Sequence, residues 1–469
     1  MTDAEGAAFL EQLRAQVRKV GKPALARDPV NQPMIRHWCD AMEDRNPVYT
    51  DAAFAAKSIH RTIVAPPTML HVWMMPGNIS RQIDPGEESV LIRLDLAGYT
   101  SVVATNSEQE YLRYLKPGEV LTGAESITDV SEEKHTALGA GHFVTMLTEY
   151  RDQAGATVGR MQFRLLKFKP GTGRAAQGEG TETPRGPRPV RPRPGISRDT
   201  QFFWDGFTAG ELRIQRCDTC RRLHHPPMVR CPACGGYDFG YQVSCGRGIV
   251  YSFVEPCHPR VPAFDYPYVV GLVELEEGTR LITNIVDIDP EKVAIGMRVE
   301  VVFQKPDPGL ILPMFRPQRP PHRRTTLSFD EVAVGDELPP CPIPVTTRLI
   351  VAGAIASRDY QDVHHDREAA VERGSPDIFM NIFTTGGLCG RYLTDWAGPE
   401  ALMHSLKMRL GVPNYPHDTM TLSGSVLAKS MRDGRGLIEV GLKGYNRRGD
   451  HVTGTTVLEL PCKKEEAAR

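Results

Sequence analysis

The run SRDYQDVHHD, Ser357–Asp366, sets an aspartate and a histidine five positions apart, Asp359 and His364, with further acids and a second histidine around them. A carboxylate and an imidazole that reach the same water from one turn can take a proton from it and hand one on, which is general acid–base chemistry. Mixed Arg/Asp/His runs also occur on ordinary exposed turns, so the pair alone leaves both readings open. A second group is more specific. CDTC at Cys217–Cys220 and CPAC at Cys231–Cys234 are separated by ten residues. Four thiolates from two tight knuckles satisfy a tetrahedral Zn²⁺ with no open position, the layout of a structural ribbon. Redox-active C-x-x-C pairs would need a thioredoxin-like βαβ unit, and none surrounds them. An iron centre of rubredoxin type shares the spacing. Cys39, Cys245, Cys257, Cys341, Cys389 and Cys462 are expected to be ordinary free thiols.

The chain that must position these groups has 469 residues, too many for one core, and roughly three domains are expected from the length. Its 56 basic and 57 acidic side chains leave a formal net charge of −1, so no global field draws it to nucleic acid or anionic membrane. No apolar run reaches the ~18 residues of a membrane span. The N-terminal stretch reads as a polar amphipathic helix without the apolar core of a secretory signal, and the cysteine usage suits a reducing cytoplasm.

Lys169–Asp199, dense in Pro, Gly and Arg, cannot bury an apolar face and reads as an extended linker; Phe315–Thr326 has the same character. The predicted division is 1–170, a linker over 171–198, 199–318 and 326–469. The outer two segments look like copies of one α+β unit: helical patterning, an acid-rich turn, a second apolar helix, then long alternating strands such as Gly141–Phe168 and Gly436–Pro461. The middle segment opens with a helix around TQFFWDGF, carries the four cysteines, and continues in short strands with Gly-bearing turns that suggest a small antiparallel barrel.

These motifs carry a family resemblance. Segment 326–469 resembles the MaoC-like, R-specific enoyl-CoA hydratases of the hotdog fold, whose signature is G-D-x-N-P-(aliphatic)-H. RDYQDVH, Arg358–His364, matches at Asp359 and His364 and departs at Arg358, Gln361 and Asp362, as in the branch that handles steroid side-chain thioesters. Downstream, IFMNIFTTGG stands where the family has I-x-H-G, and Asn381 falls at the glycine whose backbone N–H resembles an oxyanion donor. In the first copy EDRNPVY keeps Asp44, Asn46 and Pro47 but has Tyr49 where the histidine belongs. A phenol titrates near ~10, so that copy is expected to be inactive. The middle segment resembles zinc-ribbon plus OB-fold domains that accompany thiolase-like enzymes.

The fold expected is α+β: two MaoC-like hotdog domains flanking a rubredoxin-like zinc ribbon and an OB barrel. The resemblance implies an enoyl-CoA hydratase with Asp359 and His364 acting on water, a backbone N–H near Asn381 steadying the enolate, and structural Zn²⁺ on Cys217, Cys220, Cys231 and Cys234. It also implies coenzyme A as part of the substrate, a bulky steroid-type acyl group, a thiolase-like aldolase as partner, and a homo-oligomer in the cytoplasm without nucleic acid or membrane contacts. A non-catalytic acyl-CoA scaffold and an OB-type nucleic-acid binder are the rival readings. Pro66 and Pro67 are expected to break or delay the first copy's second helix, opening room for the large acyl group.

Overall fold

The computed structural model describes residues 3–77, 89–173, 189–318 and 322–462. Most of the expected linker, 174–188, and the tip of the second Pro/Arg-rich break, 319–321, lie outside the described residues. The chain divides into two compact units: the first takes both ends of the sequence, up to residue 179 and from 320 onward, and the second takes 180–319. The two copies thus share one unit, and the cysteine-bearing segment is inserted between them in sequence.

In the first unit the two copies are joined through backbone hydrogen bonds into one eleven-stranded sheet. The first copy supplies Ser101–Tyr111, Thr122–Val130, Ala140–Arg151 and Thr157–Phe168, with the two-residue strands Ala24–Leu25 and Lys134–His135. The second supplies Glu337–Val345, Leu402–Leu410, Asp418–Arg432, Arg435–Asn446 and Gly449–Leu460. The seam is the antiparallel pairing of Ser101–Tyr111 with Leu402–Leu410, from Asn106 against Arg409 to Glu110 against Ser405. Alternation sets the faces: along Arg435–Asn446, Ile438, Val440 and Leu442 are buried and the residues between them less so, the period of two of a half-buried strand.

The second copy wraps its sheet around the helix Ile382–Ala397, whose residues are buried on nearly every side. This helix also packs on the first copy. A Cβ at Gly387 would lie 2.7 Å from Trp38 Cζ2, and one at Gly390 would lie 2.9 Å from Thr68 Cγ2, so glycine is what lets the two copies close on one helix. The first copy has no such helix among its described residues. Its chain runs through two 3₁₀ turns, Pro67–Met69 and Val72–Met74. These turns stand where a second apolar helix was expected. Pro66 and Pro67 remove two N–H donors where it would nucleate, and Pro67 opens a single short turn. The shorter helices Asp3–Arg14 and Val90–Leu96 cover part of the inner sheet face instead, packing Leu13, Val90 and Leu94 on Val144, Met146 and Leu165.

The second unit begins with the helix Gln201–Thr208. It continues in a three-stranded sheet, with Arg213–Cys217 between Leu223–His224 and Phe239–Val243, and then a closed five-stranded barrel. Val250, Val269, Val273, Leu281, Ile285 and Phe315 fill the barrel, and Phe203 and Phe207 of the helix join the same cluster.

Candidate active site and metal centre

The helix Thr347–Ala356 carries the chain to the acid–base pair. It ends at Ser357, and Arg358 takes a left-handed conformation, φ 57°. That residue reverses the backbone so that the Asp359 N–H donates to the Ala354 carbonyl at 2.9 Å. This is the position of the family glycine, and a non-glycine residue there costs about 1–2 kcal/mol. A 3₁₀ turn, Asp362–His364, then brings His364 back beside Asp359.

Both side chains are buried, and Asn381 from the start of the long helix joins them. His364 Nε2 lies 3.5 Å from Asp359 Oδ2. Asn381 Nδ2 donates to the same Asp359 oxygen at 3.0 Å and to Ser357 Oγ at 2.9 Å, while Asn381 Oδ1 caps the helix by accepting from Thr384 N at 2.8 Å. His364 Nδ1 is 2.7 Å from the Phe379 carbonyl oxygen. A carbonyl only accepts, so Nδ1 carries the proton and the neutral ring keeps its lone pair on Nε2, facing the carboxylate. Burial pushes the His364 pKa below its ordinary value, against the opposing pull of Asp359. The ring is therefore a free base at neutral pH. The 3.5 Å gap exceeds a good direct hydrogen bond, and one oxygen atom can lie within bonding distance of both groups. Among the described residues the Asn381 N–H has no acceptor. It opens the long helix, where backbone N–H groups and the helix dipole favour negative charge.

The remaining letters of the run are structural. Asp366 caps the helix Arg367–Glu372 through Ala369 N, and Asp362 pairs with Arg373 at 2.8 Å on the surface. Sequence reasoning missed Ser357, the Phe379 carbonyl and His71 of the other copy. His71 stacks on Phe383 with ring centroids 5.1 Å apart and feels the Asp359 charge. Ser357 stood at the head of the run; the other two are invisible in local spacing because they are long-range contacts.

The first copy builds the same turn with different chemistry. Glu43 is left-handed at φ 53°, the Asp44 N–H donates to Cys39 O at 2.8 Å, and Asn46 N donates to Asp44 Oδ1 at 2.9 Å. Tyr49 occupies the histidine's place and is buried, which pushes its phenol well above the ordinary value. Burial likewise raises Asp44 to about 6. Arg391 of the long helix donates to the Met42 carbonyl at 2.5 Å, so a guanidinium packs beside this turn.

In the second unit, sulfur atoms of Cys217, Cys220, Cys231 and Cys234 all lie within 4.8 Å of one another, with Cys217–Cys234 at 3.5 Å and Cys220–Cys231 at 3.6 Å. These separations suit four ligands about 2.3 Å from one ion, and every cysteine is a free thiol. The two knuckles are alike. Arg221 N donates to Cys217 O and Gly235 N to Cys231 O, each from a left-handed residue, φ 62° and 75°. Backbone N–H groups led by that of Cys220 hold the Cys217 thiol below its ordinary pKa, and His224 Nε2 lies 3.4 Å from Cys231 Sγ. The set is a closed structural metal site.

Comparison with known proteins agrees with this geometry. Residues 20–161 match the family described as FAS1-like, dehydratase domain region. Residues 204–239 match the ChsH2 rubredoxin-like zinc ribbon domain, and 241–304 the ChsH2 C-terminal OB-fold domain. A solved MaoC-like dehydratase superposes with a TM-score of 0.52 over 96% of this chain and all of its own, at 16% identity, which shows the shared fold. The alpha and beta subunits of the 3-oxo-4,17-pregnadiene-20-carboxyl-CoA hydratase of Mycobacterium tuberculosis are 44% identical over 305 residues and 52% identical over 127. They cover 64% and 27% of this chain, and 94% and 95% of their own lengths are matched. A probable enoyl-CoA hydratase alpha subunit of Thermomonospora curvata is 44% identical over 321 residues, covering 67% of this chain and 98% of its own length. With a MaoC hotdog fold, a ribbon with its four thiols in place and that extent of identity, the chain belongs to the enoyl-CoA hydratase alpha-subunit family.

Proposed function

We propose that the chain adds water across the double bond of an α,β-unsaturated acyl-CoA at Asp359 and His364. The observation that carries the reading is the 3.5 Å gap between His364 Nε2 and Asp359 Oδ2, with the imidazole held neutral and its other nitrogen tied to Phe379. A water beside that pair, within hydrogen-bond reach of both atoms, meets a base in His364 and a carboxylate that orients it in Asp359. His364 takes a proton from the water as its oxygen bonds to the β-carbon; that same proton passes from His364 Nε2 to Asp359 Oδ2 and on to the α-carbon as the enolate collapses, so both groups end as they began. Charge builds on the thioester oxygen meanwhile, and the N–H of Asn381 at the helix start is the donor suited to it. A donor fixed in advance where charge develops often contributes more to the rate than any other single interaction. The Asn381 side chain, by holding Asp359, acts as a positioning group.

The acyl group we infer is a bulky steroid side chain. The M. tuberculosis relatives act on such a thioester, and the described residues of the first copy include no long helix that would fill its half of the pair. Those relatives are separate alpha and beta subunits, so this chain reads as both in one: dehydratase-type first copy, ribbon and barrel from the alpha subunit, and the catalytic second copy from the beta subunit. Zn²⁺ is the metal we assign to the ribbon. We read the ribbon and barrel as the dock for a thiolase-like aldolase, since a β-hydroxyacyl thioester is what retro-aldol cleavage consumes. The reading also carries a cytoplasmic setting; no helix among the described residues is long and apolar enough to cross a membrane. The test is loss of enoyl absorbance across a panel from crotonyl-CoA to a steroid-side-chain enoyl-CoA. The expected result is a much higher kcat/KM on the bulky substrate, and absence of turnover on every member would refute the reading.

A further inference from the structure

His71 belongs to the copy without a catalytic pair, yet it lies against the active helix. Its ring is stacked on Phe383, the second residue of Ile382–Ala397, at 5.1 Å and 23°, and Phe383 stacks in turn on Phe163 at 5.9 Å and 10°. Three rings from three elements therefore form a flat wall beside the helix start that holds Asp359. On its far side, His71 Nδ1 meets Tyr150 Oη at 2.7 Å.

In that bond the phenol donates. Tyr150 is fully buried, and burial pushes its pKa up, so it keeps its proton. A buried O–H needs an acceptor; the Thr148 hydroxyl donates to the phenol oxygen and so opposes the rise in its pKa, which leaves His71 Nδ1 in the acceptor's place among the described residues. Burial holds His71 down to about 4 against the pull of Asp359, so the ring is neutral. A neutral imidazole that accepts at Nδ1 carries its proton on Nε2. That Nε2–H has no partner among the described residues and is not among the buried atoms shut off from solvent. The wall thus offers one directed donor in an otherwise apolar surface.

Resting on the hydratase reading above, we propose that His71 is a specificity-determining residue whose Nε2–H binds a hydroxyl or keto oxygen carried on the acyl group of the substrate. The thioester carbonyl is directed instead to the helix N-terminus. The first copy then contributes recognition to a reaction performed by the second. Tyr150 acts through His71 as a positioning residue, because it fixes which ring nitrogen bears the proton. A site built to donate to a substrate oxygen disfavours the analogue without it, since the donor is left unpaired.

The experiment uses the full chain and two polycyclic acyl-CoA thioesters that differ only by one acyl oxygen, each in an enoyl form for turnover and a saturated form for binding. The wild type is expected to prefer the oxygenated member, and His71→Phe, which keeps a ring on Phe383, to reduce that preference by about 10–100-fold, mainly through KM. Tyr150→Phe, which frees the tautomer, should reduce it by a smaller factor. Thermal midpoints near the wild type's establish that each variant folds; His71→Gln supplies a second test if the phenylalanine variant does not. An unchanged preference overturns the proposal, and so does an equal loss on both thioesters, which would assign the donor to the thioester carbonyl. If the wild type turns over neither enoyl form, the hydratase reading falls on its own; the preference in binding of the saturated pair still decides for or against His71.

Discussion

On the proposed mechanism, two carboxylates in equivalent turns do opposite work. Asp359 lies 3.5 Å from His364 Nε2, where one water can reach both, whereas Asp44 faces a buried phenol and the Arg391 side of the long helix. His364→Ala or Asp359→Asn is expected to lose about 10²–10⁴ in turnover, the usual worth of a positioned acid–base group, with the fold retained; enoyl absorbance at saturating substrate reads it. Tyr49→Phe in the other turn should leave turnover near the wild type, and a large loss there would mean the copies' roles are inverted. Asp44 makes a prediction about stability instead. Its folded-state pKa is raised to about 6 from an ordinary 3.8, so the folded chain binds the proton more readily. Its contribution is then present below about pH 4 and lost as pH rises through about 6. Asp44→Asn, which keeps an acceptor for Asn46 N, should therefore raise stability at pH 7 by about 1–3 kcal/mol and have little effect at pH 4; denaturant melts at the two pH values measure this. At this scale the residue types were legible and their partners were not. Asp359 and His364 announce themselves by spacing, but Phe379 offers a carbonyl that any residue would have, and His71 reaches the site from the opposite end of the chain.

Among the elements, prolines and glycines were the most readable signals. Pro66 and Pro67 foretold the interrupted helix of the first copy, because a missing N–H acts locally. What they did not foretell is where Thr68 goes. It is buried under the long helix, where it sets the 2.9 Å limit on a Cβ at Gly390. Thr68→Trp is accordingly expected to overpack that contact and lower the folding stability by roughly 1–3 kcal/mol or more, read in denaturant melts. Activity on crotonyl-CoA and on a bulky enoyl-CoA should fall in parallel. A loss confined to the bulky substrate would show that Thr68 lines its path after all. The clustering of the four ribbon thiols was legible, since C-x-x-C turns need no distant partner. A closed thiolate site supplies folding energy directly. Cys217→Ser or Cys231→Ser should release the bound metal, measured by elemental analysis, and loosen Arg213–Val243 in hydrogen exchange, while most hydratase turnover survives. Metal retained in full by a double variant would remove the assignment.

For the molecule as a whole, the internal repeat was visible but its assembly was not. Alternating strands predict a sheet, not that Ser101–Tyr111 of one copy pairs with Leu402–Leu410 of the other to make a single sheet through both. That shared interior has an electrostatic consequence. His60, His71 and His451 lie in this unit, and burial pushes each down to about 4 from an ordinary 6.5. His364 is lowered as well. For a group whose folded value lies below its unfolded one, the unfolded chain binds more protons in between. The stability is then full above about pH 6.5 and is lost as pH falls toward 4. Asp44 opposes this between about 4 and 6, and Glu125, whose carboxyl burial also raises, acts in the same direction. At pH 5 each such histidine removes roughly 2 kcal/mol, enough in sum to matter against a typical 5–15 kcal/mol. In the second unit His225 is lowered to about 4 in the same way. Hydrogen exchange along Arg435–Asn446 should therefore accelerate markedly between pH 7.5 and 5, once corrected for the intrinsic pH dependence of exchange. The barrel strand Val269–Leu275 should change less. Equal protection of Arg435–Asn446 at both pH values would mean that these imidazoles are hydrated in the folded chain and that the interior shared by the two copies is wetter than its packing implies.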